Sequence, residues 1–240
     1  GGDETQRDQR DWADHVVNVN GYYARNNARA YHVFKGANNA TLDGFVIVGG
    51  EANGPEGDDK IGGGLLNAGV SPAIANCTFA GNSAGWGGGI ANIDGASPLI
   101  QECTFGANIG TVNGGGVHCW TQCAARISRC WFFNNQGQNM GGAFLEGDGS
   151  SSTIDRCYFL NNSVNNMGGA IGNYQGGQTR ITNCVFIGNT VQETAWGGGG
   201  VGSFQSLPSI TNCSFHNNTS PFGGAVYHSG TAPLPILNSI

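Results

Sequence analysis

The chain repeats one short pattern, Ile-x-x-Cys-x-Phe-x-x-Asn, six times at nearly constant spacing. A second pattern, a Gly pair followed by a small and an apolar residue, falls between the rows, as in GGAI at 168–171. Repeats of 20–50 residues are typical of solenoids, in which each repeat forms one supersecondary unit. The cysteines that mark the rows are 26 to 29 residues apart: Cys77, Cys103, Cys130, Cys157, Cys184 and Cys213.

The residue types within one repeat predict strands. Gly accounts for 43 of the 240 residues, and Gly at this density disrupts helices. Each repeat contains three short apolar pieces, Gly-Gly-Ala-Ile, Pro-x-Ile and Cys-x-Phe, bounded by turn-forming residues. Identical coils of three short strands stack into a parallel β-helix, in which the rest of the coil is the crossover connection. We therefore predict an all-β, right-handed parallel β-helix, a single-stranded solenoid of about eight coils.

The repeats predict one β-helix domain over residues 1–240, with less regular early coils at 1–40 and regular repeats at 41–240. The first residues, Gly-Gly-Asp-Glu, do not form a secretory leader. The last row begins at Ile236 and is not completed. Because solenoids need polar caps, we expect a segment of a longer chain, with neighbouring coils or domains as partners.

Stacking turns each position of the repeat into a column of like residues about 4.8 Å apart. The Ile and Phe columns should fill the interior, and the Gly pairs should form a bend without room for a Cβ. The Asn column suits a tight turn with left-handed backbone, where each amide can bond the next. The Cys column should be a buried row of reduced thiols, since about 4.8 Å exceeds the Cβ separation of about 3.8 Å that a disulfide prefers.

Cys119 and Cys123 lie outside that column, in the stretch HCWTQCAARI. A local disulfide that closes this turn is the simplest interpretation. Zinc binding together with His118 is the alternative, but it offers only three ligands.

The charge balance disfavours several partners. Charged residues make up 11% of the chain, the formal net charge is −6, and Lys35 and Lys60 are the only lysines. Nucleic acid and anionic membranes are therefore poor partners. No apolar run approaches the length of about 20 residues that spans a bilayer, so we expect no membrane span in this segment.

The alternation of FLNN at 159–162 with GGAI at 168–171 resembles the repeats of polymorphic outer-membrane proteins and related secreted bacterial right-handed β-helix proteins. Residues 4–12 and 40–50 also resemble the early coils of large secreted bacterial β-helix proteins. The resemblance covers about residues 40–240. It implies a right-handed β-helix located outside the cell or at its surface, and it implies no particular reaction.

One column contains large apolar residues just before the Gly pairs. If it faces outward, it forms a stripe suited to the apolar faces of sugar rings; if it faces inward, it is core. Its members are Trp86, Met140, Met167 and Phe222, with Trp196 one residue out of step.

Arg129 and Arg156 occupy the column just before the cysteines, above Glu102. Two stacked arginines could hold an acidic sugar, and Glu102 could pair with Arg129. The alternative is ordinary solvated turn surface.

The loop at 51–60 contains the densest group of carboxylates, Glu51, Glu56, Asp58 and Asp59. Together with backbone carbonyls they could hold a calcium ion, which takes six to eight oxygen ligands. A solvated loop is the alternative, because the spacing is not that of an EF-hand. The sequence requires no other cofactor.

Two classes of function remain from the sequence. The first is an extracellular or cell-surface structural or adhesive module that contacts polysaccharide or a cell-surface glycan along one face. The second is a carbohydrate-active enzyme, a polysaccharide lyase or a glycoside hydrolase, since the fold hosts both. Hydrolysis needs two carboxylates at a set separation, and no spacing forces two of the candidates onto one face: Asp94, Glu146, Asp148 and Asp155.

Overall fold

A computed structural model describes residues 16–22, 28–193 and 196–240. The resemblance noted at residues 4–12 lies outside this range. The described chain winds into stacked coils, and each complete coil passes through four parallel sheets in the order 1, 2, 3 and 4. The helical content of the described residues is one 3₁₀ turn, Gly57–Lys60.

Sheets 1 and 2 contain the Pro-x-Ile and Cys-x-Phe pieces of the repeat. Sheet 1 consists of Thr41–Asp43, Ala73–Ala75, Leu99–Gln101, Arg126–Ser128, Thr153–Asp155, Arg180–Thr182, Ser209–Thr211 and Ile236–Leu237. Sheet 2 consists of Val17–Asn20, Phe45–Val48, Thr78–Ala80, Thr104–Gly106, Trp131–Phe133, Tyr158–Leu160, Val185–Ile187 and Ser214–His216.

Sheets 3 and 4 lie before and after the Gly pairs. Sheet 3 consists of Glu51–Ala52, Ser83–Trp86, Ile109–Asn113, Gln136–Gly137, Ser163–Val164 and Thr190–Val191. Sheet 4 consists of Phe34–Lys35, Leu65–Ala68, Ile90–Ile93, Val117–Cys119, Phe144–Gly147, Ile171–Tyr174, Val201–Phe204 and Val226–Ser229.

The register of the sheets confirms the predicted stacking. Ile100 pairs with Ile127, and Phe132 pairs with Phe159, so equivalent residues of successive repeats lie over one another. The three predicted strands of each coil are present, in three eight-stranded sheets. Sheet 3, with six short strands, is an addition that the sequence analysis did not anticipate. It forms because the residues between the Asn column and the Gly pairs are extended enough to pair between coils.

The interior is filled by the predicted Ile and Phe columns. The phenyl rings stack with centroids 4.6–5.2 Å apart and interplanar angles of 4–7°. Each ring therefore meets the same shape in the coil above and below, which is the condition for dense packing. The stacked rings are Phe79, Phe105, Phe132, Phe159, Phe186 and Phe215.

The Asn column forms a buried hydrogen-bonded ladder. The side-chain amide of Asn135 donates to Oδ1 of Asn162 at 3.0 Å and to the carbonyl of Phe105 at 2.9 Å. Its own Oδ1 accepts from the backbone and side chain of Asn108. The expected amide-to-amide bonding is confirmed, but the left-handed backbone belongs to the preceding residue, for example Asn134 with φ of 53°. Asn135 itself, which carries the buried amide, does not have left-handed backbone.

All eight cysteines are free and buried. The column of six is the reduced row expected from the spacing, and the backbone N–H of Cys130 donates to Sγ of Cys157 at 3.4 Å. The local disulfide between Cys119 and Cys123 is not formed. Instead, the Cys123 thiol donates to the carbonyl of Trp120 at 2.8 Å, and desolvation raises the pKa of Cys123 to about 11.

The Gly pairs form the predicted cramped bend. The first Gly of each pair has left-handed backbone, as Gly114 does with φ of 62°. A Cβ on the next residue, Gly115, would lie 2.5 Å from the carbonyl oxygen of Gln136 in the next coil. Real Cβ atoms do not approach backbone oxygens so closely, so this position requires glycine.

Candidate functional site

The outer side of sheet 4 borders a cavity of about 500 Å³. The bend at the Gly pairs brings the residues at the end of sheet 3 over sheet 4, and the space between them is the cavity. The lining is mainly apolar and aromatic, with a few polar groups, which is the usual composition of a small-molecule site. The lining residues are Ile61, Trp86, Ile93, Asp94, Asn113, His118, Trp120, Thr121, Met140 and Tyr174.

Aromatic rings continue along this side beyond the cavity. Trp120 stacks on His118 at 5.5 Å and lies 6.4 Å from Tyr174. Tyr174 in turn stacks on Phe204 at 5.6 Å, and Trp196 contacts Phe204 at 5.0 Å. We call this surface the aromatic groove, defined by Trp86, Trp120, Met140, Tyr174, Trp196 and Phe204.

A glycine makes the continuity of the groove possible. Gly147 lies between Trp120 and Tyr174 on the outer side of sheet 4, one coil from each. A Cβ at Gly147 would overlap the six-membered ring of Trp120. Because Gly147 has no side chain, Trp120 leans over it toward Tyr174.

The predicted apolar column divides between surface and core. Trp86, Met140 and Trp196 are partly exposed and belong to the aromatic groove, whereas Phe222 is 49% exposed near the end of the described chain. Met167 is a correction, because it is fully buried. Its side chain fills the space above Gly202, where sheet 4 carries no side chain, and so it cannot contact a ligand.

His118 is the polar side chain buried at the floor of the cavity. It is 4% exposed, and its Nδ1 has no hydrogen-bond partner. Burial lowers the pKa of His118 to about 3, so the ring is neutral at physiological pH. Leaving this buried nitrogen unpaired costs free energy, and the atom itself is inaccessible from the cavity.

The four candidate carboxylates do not converge. Glu146 is fully buried on the inner side of sheet 4, where its Oε1 accepts from the backbone N–H of Ser152 at 2.6 Å. Desolvation raises the pKa of Glu146 to about 7, as an acid catalyst would need, but the side chain faces the interior and cannot reach a substrate. Its burial does not favour the catalytic role that the sequence left open, and that role stays a prediction.

Asp94 and Asp148 occupy equivalent left-handed turns after sheet 4, with φ of 56° and 53°. They are two coils apart, so their backbones are separated by roughly 10 Å. Only Asp94 lines the cavity.

Asp155 lies at the end of a sheet 1 strand, away from these turns. Partial desolvation opposes its ionisation. Hydrogen bonds from Thr182 and Asn183, both 2.7 Å, and the charge of Arg156 outweigh that effect and lower the pKa of Asp155. A carboxylate held ionised in this way is a structural acceptor.

Comparison with known families agrees with this architecture, since the model of the right-handed β-helix region matches residues 63–240. The chain belongs to the right-handed β-helix family. No curated protein and no solved structure matches it. Within the described part of this β-helix, no helix is long and apolar enough to cross a membrane.

The acidic loop of this β-helix does not form a cluster of metal ligands. Glu56 and Asp58 are exposed, and Asp58 faces Lys35 at 3.9 Å. Across residues 16–22, 28–193 and 196–240, no three His, Cys, Asp or Glu side chains are placed to hold a metal ion. Calcium binding by Glu51, Glu56, Asp58 and Asp59 stays a prediction that calorimetric titration tests.

The column before the cysteines is an exposed left-handed turn between sheets 1 and 2, with φ of 53° at both Arg129 and Arg156. The expected pair between Arg129 and Glu102 is present, with Nε 2.7 Å from Oε1. Arg156 lies 3.5 Å from Asp155. Both arginines are solvent-exposed and available to a ligand.

A larger cavity of about 760 Å³ lies near the last described coil, lined by residues that include Phe204, Leu207 and His228. His228 is already hydrogen-bonded at both ring nitrogens, to Ser203 at 3.1 Å and to the carbonyl of Ala232 at 2.8 Å. His228 therefore has no ring nitrogen left for a ligand.

Sequence reasoning missed Trp120, Tyr174 and Phe204 as groove residues. They occupy equivalent positions after the Gly pairs, so a period of 27–30 residues relates them. That signal was present, but only the alternation of sides in sheet 4 shows that this column faces outward.

Proposed function

We propose that this β-helix is a non-catalytic extracellular or cell-surface module that binds a glycan in the aromatic groove. The observation that carries the proposal is the cavity of about 500 Å³ with the Trp120 and Tyr174 rings on its wall and the unpartnered His118 at its floor. Aromatic rings pack against the C–H faces of sugars, and a few polar groups fix their orientation.

The lining favours an uncharged sugar unit. Within the described residues, no Lys or Arg lines the cavity, and Asp94 lies at its edge. A carboxylated sugar would meet the negative charge of Asp94 without a compensating cation. A neutral hydroxylated ring avoids this repulsion.

A structural role fits the regular interior. The Phe and Asn columns bond or stack every coil to the next, and solenoids of this kind present long surfaces made from equivalent residues. The resemblance of FLNN and GGAI to polymorphic outer-membrane protein repeats supports a position outside the cell or at its surface. It also supports neighbouring coils or domains of a longer chain as partners.

A panel of neutral and acidic polysaccharides tests the proposal. Purified protein should bind at least one neutral polymer, with a change in tryptophan fluorescence. Trp120→Ala should weaken that binding about tenfold, since loss of one stacking ring costs up to about 1.5 kcal/mol. Trp131→Ala is the matched control, because Trp131 is an exposed tryptophan on sheet 2, outside the groove.

The two variants must first be compared for thermal unfolding, because Trp120 also packs on His118. A second variant, Gly147→Ala, displaces the Trp120 ring without deleting it and should also weaken binding. If no neutral polymer binds, or if Trp131→Ala weakens binding as much as Trp120→Ala, the proposal is wrong. Release of reducing or unsaturated ends from any polymer would instead establish a carbohydrate-active enzyme.

A further inference from the structure

We infer that a second surface, separate from the aromatic groove, binds an acidic polysaccharide along sheets 1 and 2. We call it the arginine face and define it by Arg126, Arg129, Arg156 and Arg180. It goes beyond the proposed function, because it lies on different sheets, uses different residues and binds a negatively charged polymer rather than an uncharged one.

The distribution of cations carries the inference. In residues 61–240 the four arginines of this face are the only Lys or Arg residues, although the whole chain has a net charge of −6. All four lie in three consecutive coils, on sheet 1 or on the turn that follows it.

The coil geometry aligns these cations along the solenoid axis. Arg126 and Arg180 begin strands of sheet 1 and both pair with Thr153 between them, so they lie two coils apart, at roughly 10 Å. Arg129 and Arg156 follow on the adjacent turn in successive coils. A polymer lying along the axis would meet a guanidinium group at every coil.

Two of the arginines have acidic neighbours and two do not. Arg129 pairs with Glu102 at 2.7 Å, and Arg156 lies 3.5 Å from Asp155. For Arg126 and Arg180 the described residues provide no ion pair, and both side chains are exposed. Guanidinium groups bind carboxylates and sulfates through two parallel hydrogen bonds, so these two are the strongest anchors for an anion.

Exposed aromatic rings lie beside the arginines. Trp131 and Tyr158 are 48% and 40% exposed, and they stack on each other with centroids 4.4 Å apart. Trp131 follows Arg129 by two residues, and Tyr158 follows Arg156 by two. Cations next to exposed aromatic surface match a ligand that combines charge with apolar C–H faces, as an acidic sugar does.

The same features disfavour nucleic acid as the occupant. Duplex DNA carries one charge about every 1.7 Å, and its binding needs extensive phosphate neutralisation. This face has four guanidinium groups, and the remainder of the chain is acidic. A sparsely charged glycan polymer fits that balance, so we assign the face to an acidic polysaccharide.

The test compares polygalacturonate with its fully methyl-esterified form, which is uncharged, by affinity electrophoresis and calorimetry. The double variant Arg126→Ser/Arg180→Ser should bind polygalacturonate about tenfold more weakly, since each charge-assisted contact contributes about 1 kcal/mol or more. Binding should fall with added salt, and the methyl ester should not bind this face. The matched control is Lys35→Ser/Lys60→Ser, which removes the same charge from another part of the surface and should change affinity less than about twofold.

Trp120→Ala separates this inference from the proposed function, since it should leave polygalacturonate binding unchanged. The inference is overturned if the arginine and lysine double variants weaken binding equally, or if polygalacturonate does not bind. It is also overturned if, in the Trp120→Ala background that disables the aromatic groove, the methyl ester binds as tightly as the acid. Equal or tighter binding of duplex DNA would also overturn it. Thermal unfolding should be the same for both double variants, because all four side chains are on the surface.

Discussion

Two polar columns run inside the same coils, and they satisfy their polar groups differently. In the Asn ladder each amide passes a hydrogen bond to the identical amide of the next coil, as Asn135 does to Asn162. The inner polar column of sheet 4 mixes residue types, and Glu146 Oε2 and Asn173 Nδ2 are buried without partners. The members of this mixed column are Asn67, Asn92, Cys119, Glu146, Asn173, Ser203 and His228.

The difference shows that columns of identical residues and columns of varied residues have different roles in the molecule. Identical residues stacked at one spacing satisfy one another, which stabilises the solenoid. A column of different residue types leaves some polar groups unpaired, which lowers stability. It also places side chains of different chemistry in particular coils. Sheet 4 varies on both sides, and its outer side supplies His118, Trp120 and Tyr174 of the aromatic groove.

The largest expected effect is the interruption of the uniform ladder. Asn135→Ala removes the partner of the Asn108 backbone N–H and of the Phe105 carbonyl. Leaving these groups buried and unpaired should lower the free energy of unfolding by about 4 kcal/mol. Urea denaturation measures the loss. Asn134→Gly is the control, because Gly tolerates the left-handed backbone of this exposed neighbour; an equally large loss there would show that the ladder is not the cause.

In the mixed column, replacing Glu146 should raise the free energy of unfolding, whereas Asn135→Ala in the ladder lowers it. The unfolded carboxyl releases its proton near pH 4.5, whereas the folded one holds it until about pH 7. The native state therefore binds more protons in this window, and stability falls as the pH rises through it. Glu146→Gln should remove that slope and stabilise the protein by about 3 kcal/mol above pH 7.

Denaturation curves at pH 5 and pH 8 measure the Glu146 effect. Asp148→Asn, an exposed carboxylate two residues away, should leave the slope in place. If Glu146→Gln shows the same pH slope as the parent protein, the buried carboxyl is not its source.

A third comparison concerns two adjacent glycine positions. Gly115→Ala should lower stability by about 2 kcal/mol, because the added Cβ meets the Gln136 carbonyl at 2.5 Å and forces a backbone shift. Gly116→Ala should cost less than half as much. Its added Cβ would lie 2.6 Å from the Ala143 carbonyl, but Ala143 and Ala170 show that later coils accommodate a Cβ in this same column. Thermal unfolding of the two variants measures both losses. A larger loss for Gly116→Ala than for Gly115→Ala would contradict the column assignment.

The smallest expected effect is on the outer turn. Glu102→Gln removes the ion pair with Arg129, in which both side chains are about half exposed. Solvent-exposed pairs contribute about 0–1 kcal/mol, so the urea midpoint should barely move. A loss as large as that of Gly115→Ala would mean that the turn surface stabilises the coil as much as the interior does.

Much of the fold could be predicted from the sequence because the columns are visible as a period. The spacing of Cys130 and Cys157 fixes which residues stack, and this placed the Ile, Phe, Cys and Asn columns correctly. Sheet 3 was missed because Ser163–Val164 and its equivalents lack a shared apolar pattern. Pairing between coils, rather than residue type, makes them strands.

The candidate sites were harder to predict because they depend on which way a side chain faces. Glu146 falls in register with Asn92 and Asn173, so the period alone could have placed it in an inner column. The sequence left Met167 open between surface and core, and the absence of a side chain at Gly202 lets it become buried against the outer side of sheet 4. The effect of a neighbouring glycine on a side chain depends on how the coils pack, so it could not be predicted from the sequence.

The most direct test of the stacking is an anomalous-difference map at the sulfur wavelength from a crystal of the protein. If each repeat makes one turn, Sγ of Cys77, Cys103, Cys130, Cys157, Cys184 and Cys213 should appear as a single row of peaks about 4.8 Å apart. Peaks merged in pairs at the disulfide separation of about 2.05 Å, or peaks scattered out of line, would contradict it.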